Sequence, residues 1–151
     1  MPHFTLALSP GGPIVTAVVG VSDARRTALT EAGQPVPNFV TIRALVDTGA
    51  SCTCIDPTVI AELALPPTGS VQMFSPTTGE TPHAMEQFDV AIVIPSQQGQ
   101  APLIFETIPV VASSLAAQGI QALIGRDILS RCVLHYNGGT SGTGGLFTLA
   151  F

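Results

Sequence analysis

Apolar residues along this chain come in short runs, each stopped within a few positions by proline, glycine or small polar residues. Runs of that length predict strands, because a helix needs a longer segment with a period of about 3.6 residues. Phe4 to Leu8 alternates apolar with small polar residues and reads as an edge strand. After the turn Ser9-Pro10-Gly11-Gly12-Pro13, Ile14 to Val21 reads as a second strand, and the two together predict an opening hairpin. One segment breaks the pattern. Ser22 followed by residues 23–32 predicts a helix, with Ser22 as N-cap, Asp23 as an acid in the first turn and Gly33 as the stop. It is read either as a surface helix covering a sheet or as a segment that touches a ligand.

Pro35-Val36-Pro37 sets up the next strand, in which Ala44, Leu45 and Val46 form a run apolar enough to be buried on both faces. Beyond it, Cys52-Thr53-Cys54-Ile55 alternates so that the two cysteines share a face, and Asp56-Pro57-Thr58 opens a short helix from Val59 to Leu63. Two apolar runs between Val71 and Ile94 flank Ser75-Pro76-Thr77-Thr78-Gly79-Glu80, which predicts a long hairpin with its tip near Thr77 to Gly79. Strands follow at Phe88 to Pro95 and Leu103 to Val111, separated by the polar turn Gln97 to Gln100, and a helical turn is expected within Ala112 to Gln118. Leu123 and Ile124 then lead into Gly125-Arg126-Asp127 and a short helix that buries Ile128, Leu129 and Cys132. Val133 to Tyr136 and Leu146 to Phe151 read as a final hairpin around a glycine-rich loop, with the last strand at a sheet edge. An apolar edge of that kind calls for a partner strand. The class is therefore all-β with short helices, and 151 residues make one domain, 1–151.

Composition narrows the function classes. Only 10% of residues are charged, against roughly 25% in an average soluble domain, while 13 prolines and 15 glycines cut the chain into pieces too short for long helices. A net charge of −5 without a single lysine leaves no phosphate-tracking surface, so nucleic acid is not expected as a partner. The start, Met1-Pro2-His3-Phe4-Thr5-Leu6, lacks a basic segment and a long apolar core, and the most apolar stretch, 101–117, is interrupted by Pro102, Glu106 and Pro109, so neither a signal peptide nor a membrane span is expected. Three cysteines, two of them separated by one residue, do not make a disulfide framework and fit a reducing cytoplasm. His3, His83 and His135 are scattered singly, so neither a metal nor another cofactor is expected.

Against that background one carboxylate stands out. Ile42-Arg43-Ala44-Leu45-Val46 delivers Asp47 to the end of a buried strand, and Thr48-Gly49 then turns the chain. Such a triplet arises by chance in a chain of this length with a probability of roughly a few per cent. A second stretch, Ala122-Leu123-Ile124-Gly125-Arg126-Asp127-Ile128-Leu129, repeats the plan of apolar strand, glycine and amphipathic turn, with Gly125 standing 76 positions beyond Gly49. Asp23, Asp56, Asp89 and Asp127 are not followed by Thr-Gly or Ser-Gly, so the chain holds one such carboxylate.

The two stretches together resemble the retroviral-type aspartic proteases, the retropepsins, over most of the chain. The resemblance implies a closed β-barrel active as a two-fold homodimer, in which a second copy supplies the other aspartate and a peptide or protein is the substrate. It implies a catalytic role for Asp47, Thr48 and Gly49, substrate contacts for Ala50 and Ser51, and a flap over the cleft from Phe74 through Ser75, Thr77 and Thr78 to Gly79. Leu123 is implied as a cleft wall, though a core strand residue explains it equally well. Gly125, Arg126 and Asp127 would brace the region after the catalytic glycine. The family often pairs that arginine with an acid two positions beyond the glycine; here the position is Ser51, so Arg126 needs another acceptor. The helix at 22–33 lies outside the family pattern, and the proline in the flap departs from it. A dimeric module that binds peptides or merely self-associates, without catalysis, is the alternative reading.

Overall fold

The computed structural model describes residues 1–74, 81–139 and 144–151. Ten strands and three short helices follow one another: β1 His3–Ala7, β2 Ile14–Val21, α1 Asp23–Glu31, β3 Val40–Val46, β4 Cys54–Ile55, α2 Pro57–Glu62, β5 Gly69–Met73, β6 His83–Ile94, β7 Leu103–Ala112, β8 Ala122–Ile124, α3 Arg126–Leu129, β9 Val133–Asn137 and β10 Leu146–Ala150. Six of the strands close on themselves. Their order is β2-β3-β8-β4-β7-β6, and β6 completes the ring by pairing antiparallel with β2, from Val18↔Val93 to Val21↔Val90. Closure leaves no free edge on this part of the molecule. The parallel pair β3–β8 and the antiparallel pair β4–β8 bring the chain's two glycine-containing stretches side by side, with Val46 opposite Ile124.

The barrel interior follows from the period of two. In β3, Ile42, Ala44 and Val46 are buried while Thr41 and Arg43 face out, and Val15, Ala17 and Val19 of β2 and Val90, Ile92 and Ile94 of β6 do the same. Leu63 from the end of α2 and Ile128 from α3 fill the ends of this core. The arm β5 pairs only with the first half of β6, from Gly69↔Gln87 to Met73↔His83, and projects from the barrel as one side of the expected hairpin. The tip of that hairpin, Ser75 to Glu80, falls outside the described residues.

Helix α1 begins where its cap predicts, with Arg25 N–H donating to Ser22 Oγ, and ends before Gly33 at φ +65°. It buries none of its residues and rests beside β7, so it is a surface helix.

Two expectations about strand pairing are corrected. β1 does not form a hairpin with β2. The turn between them closes on itself, with Ser9 and Gly12 exchanging backbone hydrogen bonds at 3.1 and 2.9 Å, and β2 already has β3 on one edge and β6 on the other. β1 is drawn instead to β10, where Phe4 packs edge-on against Phe147 and Phe151 at centroid distances of 6.0 and 6.4 Å. Nor is β10 an edge strand. It is the middle of a three-stranded sheet, β1-β10-β9, and Phe147 and Leu149 are fully buried within the single chain. Their apolar character is explained by this core and requires no second copy.

Among the described residues no helix is long and apolar enough to cross a membrane. Among the described residues no group of three or more His, Cys, Asp or Glu side chains is placed to hold a metal ion.

Candidate active site

The ladder between β3 and β8 runs one step past the strand end, because Asp47 N–H donates to Ile124 O at 3.0 Å. The chain then folds back. Gly49 N–H donates to Asp47 Oδ1 at 2.8 Å and Ala50 N–H to Asp47 O at 3.3 Å, so the half-buried carboxylate caps its own turn through one oxygen. Its other oxygen, Oδ2, accepts no hydrogen bond from the described residues. Thr48 and Gly49 are exposed beside it.

The turn is held from the side by α3. Arg126 N–H donates to Ala50 O at 3.0 Å, and its guanidinium Nη1 donates to Thr48 O at 3.1 Å. The acceptor that Ser51 cannot provide is thus a backbone carbonyl inside the Asp-Thr-Gly turn. Asp127 fixes the next stretch: Thr53 N–H donates to Oδ2 at 2.8 Å, Thr53 Oγ1 to Oδ1 at 2.8 Å, and Ile128 N–H to Oδ1 at 2.9 Å. Thr53 Oγ1 in turn accepts from Gly125 N–H at 3.2 Å. At Gly125 any Cβ would stand 2.4 Å from the Cys52 carbonyl carbon, so only glycine allows the two segments to lie this close.

One turn further on, the carboxylate of Asp56 accepts four hydrogen bonds. Thr58 N–H and Oγ1 reach Oδ1 at 2.9 and 2.7 Å, capping α2, while Leu115 and Ala116 N–H reach Oδ2 at 2.7 and 2.8 Å. The Thr58 N–H foremost, then that of Leu115, holds this carboxyl down at about 2 against the opposing effect of burial. Thr53 and Asp56 organise the site yet carry no motif of their own. Asp-Pro-Thr signals the cap of α2, but nothing local signals the bonds to residues 115 and 116.

Beside the turn lies an apolar cavity of about 300 Å³. Its lining is formed by Ser51 and Cys52 just after the Asp47 turn, Val71 and Met73 of β5, Gln87 of β6, Pro109 to Val111, and Asp127. Among the residues proposed from sequence as substrate contacts, Ser51 lines this cavity and Ala50 sits at its approach, half-buried. Phe74 ends the β5 arm with 66% of its surface exposed, while Ser75, Thr77, Thr78 and Gly79 lie outside the described residues. Leu123 is half-buried between Leu45 and Cys54, its neighbours across β3 and β4, and packs on the same small apolar cluster as Met73 without lining the cavity.

The three cysteines are free thiols. Burial pushes the Cys54 thiol up to about 12, and burial followed by the Asp127 charge raises that of Cys52. Neither is a ready nucleophile. What the arrangement offers chemically is one accessible carboxylate on a rigid turn at the edge of an apolar cleft.

Comparison with known proteins agrees. No curated protein matches the chain in sequence. A solved structure, described as a retropepsin-like aspartic protease from Rickettsia conorii, superposes with a TM-score of 0.56 over 99% of this chain and 90% of its own, at 16% identity, which establishes the likeness of fold. Residues 32–128 match the family described as aspartyl protease, a span that includes Asp47, the β5 arm and the Gly125-Arg126-Asp127 stretch. With that match and a retropepsin-like barrel, the chain belongs to the aspartyl protease family.

Proposed function

We propose that the protein is a homodimeric endopeptidase whose catalytic centre is a pair of Asp47 carboxylates, one from each chain. Family membership supports aspartic protease activity in general; the pairing rests on one observation. Asp47 is the single carboxylate presented at the cleft with an oxygen left free by the described residues, on a turn braced by Arg126. Peptide hydrolysis by water needs a base to take the water's proton and an acid to protonate the carbonyl oxygen, and one carboxylate cannot be both at once. Two facing carboxylates sharing one proton can. The ionised one accepts the proton of the attacking water, and the protonated one donates to the carbonyl oxygen. Proton transfer to the amide nitrogen then lets the C–N bond break, and the pair again holds one proton. The splitting of apparent pKa values in such a pair is a known property of aspartic proteases.

In this reading Thr48 hydrogen-bonds across the two-fold axis, Gly49 offers its carbonyl to the substrate backbone, and Ala50 and Ser51 line the adjoining subsites. Phe74 and residues 75–79 close over the substrate. Leu123 supports the cleft from behind, and Gly125, Arg126 and Asp127 keep the turn in place. The second copy docks along the three-stranded sheet. The outer edge of β1 is engaged by the 97–100 turn, where Gln97 N–H donates to His3 O and His3 N–H to Gln100 Oε1. The outer edge of β9 has no such cover among the described residues, carries no charged side chain, and exposes Val133 and Tyr136 by 57% and 56%.

Mixed dimers test the shared site. With free subunit exchange, verified by differently tagged chains, adding Asp47→Asn protein to wild type should lower activity as the square of the wild-type fraction. An equal mixture then keeps about a quarter of the activity of the same total protein as wild type, by random pairing in a two-fold dimer. Activity that falls linearly with the wild-type fraction rules the shared site out.

A further inference from the structure

Cys52 and Met73 line the cavity beside the Asp47 turn, and Cys54 is buried in the apolar cluster on which both pack. The Cys52 thiol donates to the Met73 thioether at a sulfur–sulfur distance of 3.8 Å, which links the segment after the catalytic turn to the β5 arm. The Cys54 thiol lies against the Cys52 carbonyl at 3.7 Å, and the two thiols are close enough to perturb each other's ionisation. Around them stand Val111, Leu115 and Ile120, with a second thioether, Met85, packed on the same cluster. The carboxylate of Asp127, which also reaches the cavity, is already taken by Thr53 and Ile128.

We propose that Cys52, Cys54 and Met73 form a binding site for one soft monovalent cation, Cu(I), next to the Asp47 turn. Thiolate and thioether sulfur select Cu(I) over the hard cations, which require oxygen ligands that this apolar cluster lacks. The spacing fits. Three sulfurs around one small metal at about 2.3 Å, as for zinc–thiolate bonds, stand about 4 Å apart in a trigonal plane. Cys52 and Met73 are therefore already separated by nearly the distance that a shared metal imposes, and Cys54 packs in the same apolar cluster. On binding, both thiols release their protons to solvent, and the two thiolates and the Met73 thioether each donate a lone pair to the metal, whose oxidation state does not change. Cu(I) cancels one of the two thiolate charges, so the apolar surroundings favour the metal-bound pair, with one net negative charge, over two bare thiolates.

One consequence rests on the proteolytic function proposed above. A metal joining Cys52 to Met73 fastens the β5 arm to the floor of the cleft and fills the cavity next to Ser51, so it should inhibit peptide hydrolysis.

The test is an anaerobic titration of the reduced protein with Cu(I), in competition with a chromogenic Cu(I) chelator, and with Ag(I) as a surrogate that does not change oxidation state. One equivalent should bind, with sulfur-only coordination by X-ray absorption. Cys52→Ser should weaken binding by more than the roughly 10–100-fold that loss of an outer-shell partner costs. Met73→Leu, which keeps the volume, should weaken it by about tenfold, and Cys132→Ser should bind as wild type. Cys54 is buried and its serine variant is liable to misfold, so Cys52→Ser and Met73→Leu at half-buried positions decide the matter. Wild-type affinity in both of these variants, or an equal loss in Cys132→Ser, overturns the site. Sulfur-only binding by a protein that cleaves no peptide would overturn the proposed activity and leave the metal site standing.

Discussion

Asp47 and Asp56 lie nine residues apart, beyond opposite ends of β8, and are employed in opposite ways. Asp56 is buried and accepts four hydrogen bonds from three residues, two of which lie about sixty positions further along the chain. Asp47 is half-buried and accepts one from the described residues, within its own turn. A carboxylate whose oxygens are saturated by fixed donors is held ionised and cannot pass a proton, so it serves as structure. One with an oxygen left free, on a backbone held by other residues, can meet a second carboxylate or a water. Asp127 belongs with Asp56, since its three bonds clamp Thr53 and the start of α3. The stiffness that the Asp47 turn needs is supplied by neighbours, which leaves Asp47 itself available for chemistry.

The largest stability effect should come from Asp56→Ala. It strands the N–H groups of Thr58, Leu115 and Ala116 beside a buried gap and removes the cap of α2, for a loss of about 4 kcal/mol in denaturant unfolding. The same carboxyl predicts a pH dependence. Its folded-state value of about 2 lies below its ordinary value of 3.8, so the stability it contributes is fully present above about pH 4 and is lost as pH falls through 2. Wild-type stability should decline across that window, and the gap between wild type and Asp56→Ala should narrow there. A gap that stays constant down to pH 2 would show that the Asp56 hydrogen bonds do not hold its proton off.

Asp127→Ala should follow at about 3 kcal/mol, because three donors lose a charged acceptor and two of them belong to Thr53, which is fully buried. Its second effect is local. With Thr53 released, Gly125 and the Cys52–Thr53 peptide lose their register, so amide exchange should quicken in residues 50–54 before it does in β2 or β6. Protection lost evenly over the whole barrel would mean that Asp127 supports the core in general and not the turn in particular.

These contrasts mark what could be read from the sequence. Strand and helix positions were legible where the signal is local: Ser22 and Gly33 bound α1, Asp56-Pro57 starts α2, and the apolar run Ala44-Leu45-Val46 places Asp47 at a strand end. The retropepsin-like barrel was legible because two short stretches, around Gly49 and Gly125, carry it. Pairings set by competition between distant strands were not. Phe4 to Leu8 looks like half of a hairpin until β3 and β6 are seen to occupy both edges of β2, and Phe147 to Phe151 looks like an exposed edge until β1 and β9 flank it. The acceptor of Arg126 could not be read either, since a backbone carbonyl has no sequence signature.

The smallest stability effect is expected at the residue with the greatest consequence for activity. Asp47→Asn keeps a side-chain carbonyl oxygen to accept the Gly49 N–H, leaves the Asp47 N–H bond to Ile124 and both Arg126 bonds untouched, and adds a donor on the side that faces the cleft. Stability of the chain should change by under about 1 kcal/mol, within the range of ordinary partly exposed substitutions. Loss of the carboxylate removes the group that exchanges the proton, so peptide cleavage should fall by about 10²–10⁴-fold or more. Unfolding and cleavage measured on the same preparation decide between the two roles. A stability loss approaching that of Asp56→Ala would mean that Asp47 is one more structural carboxylate and that its free oxygen has a partner in the folded protein. Unchanged stability with abolished cleavage would place its whole contribution in the reaction.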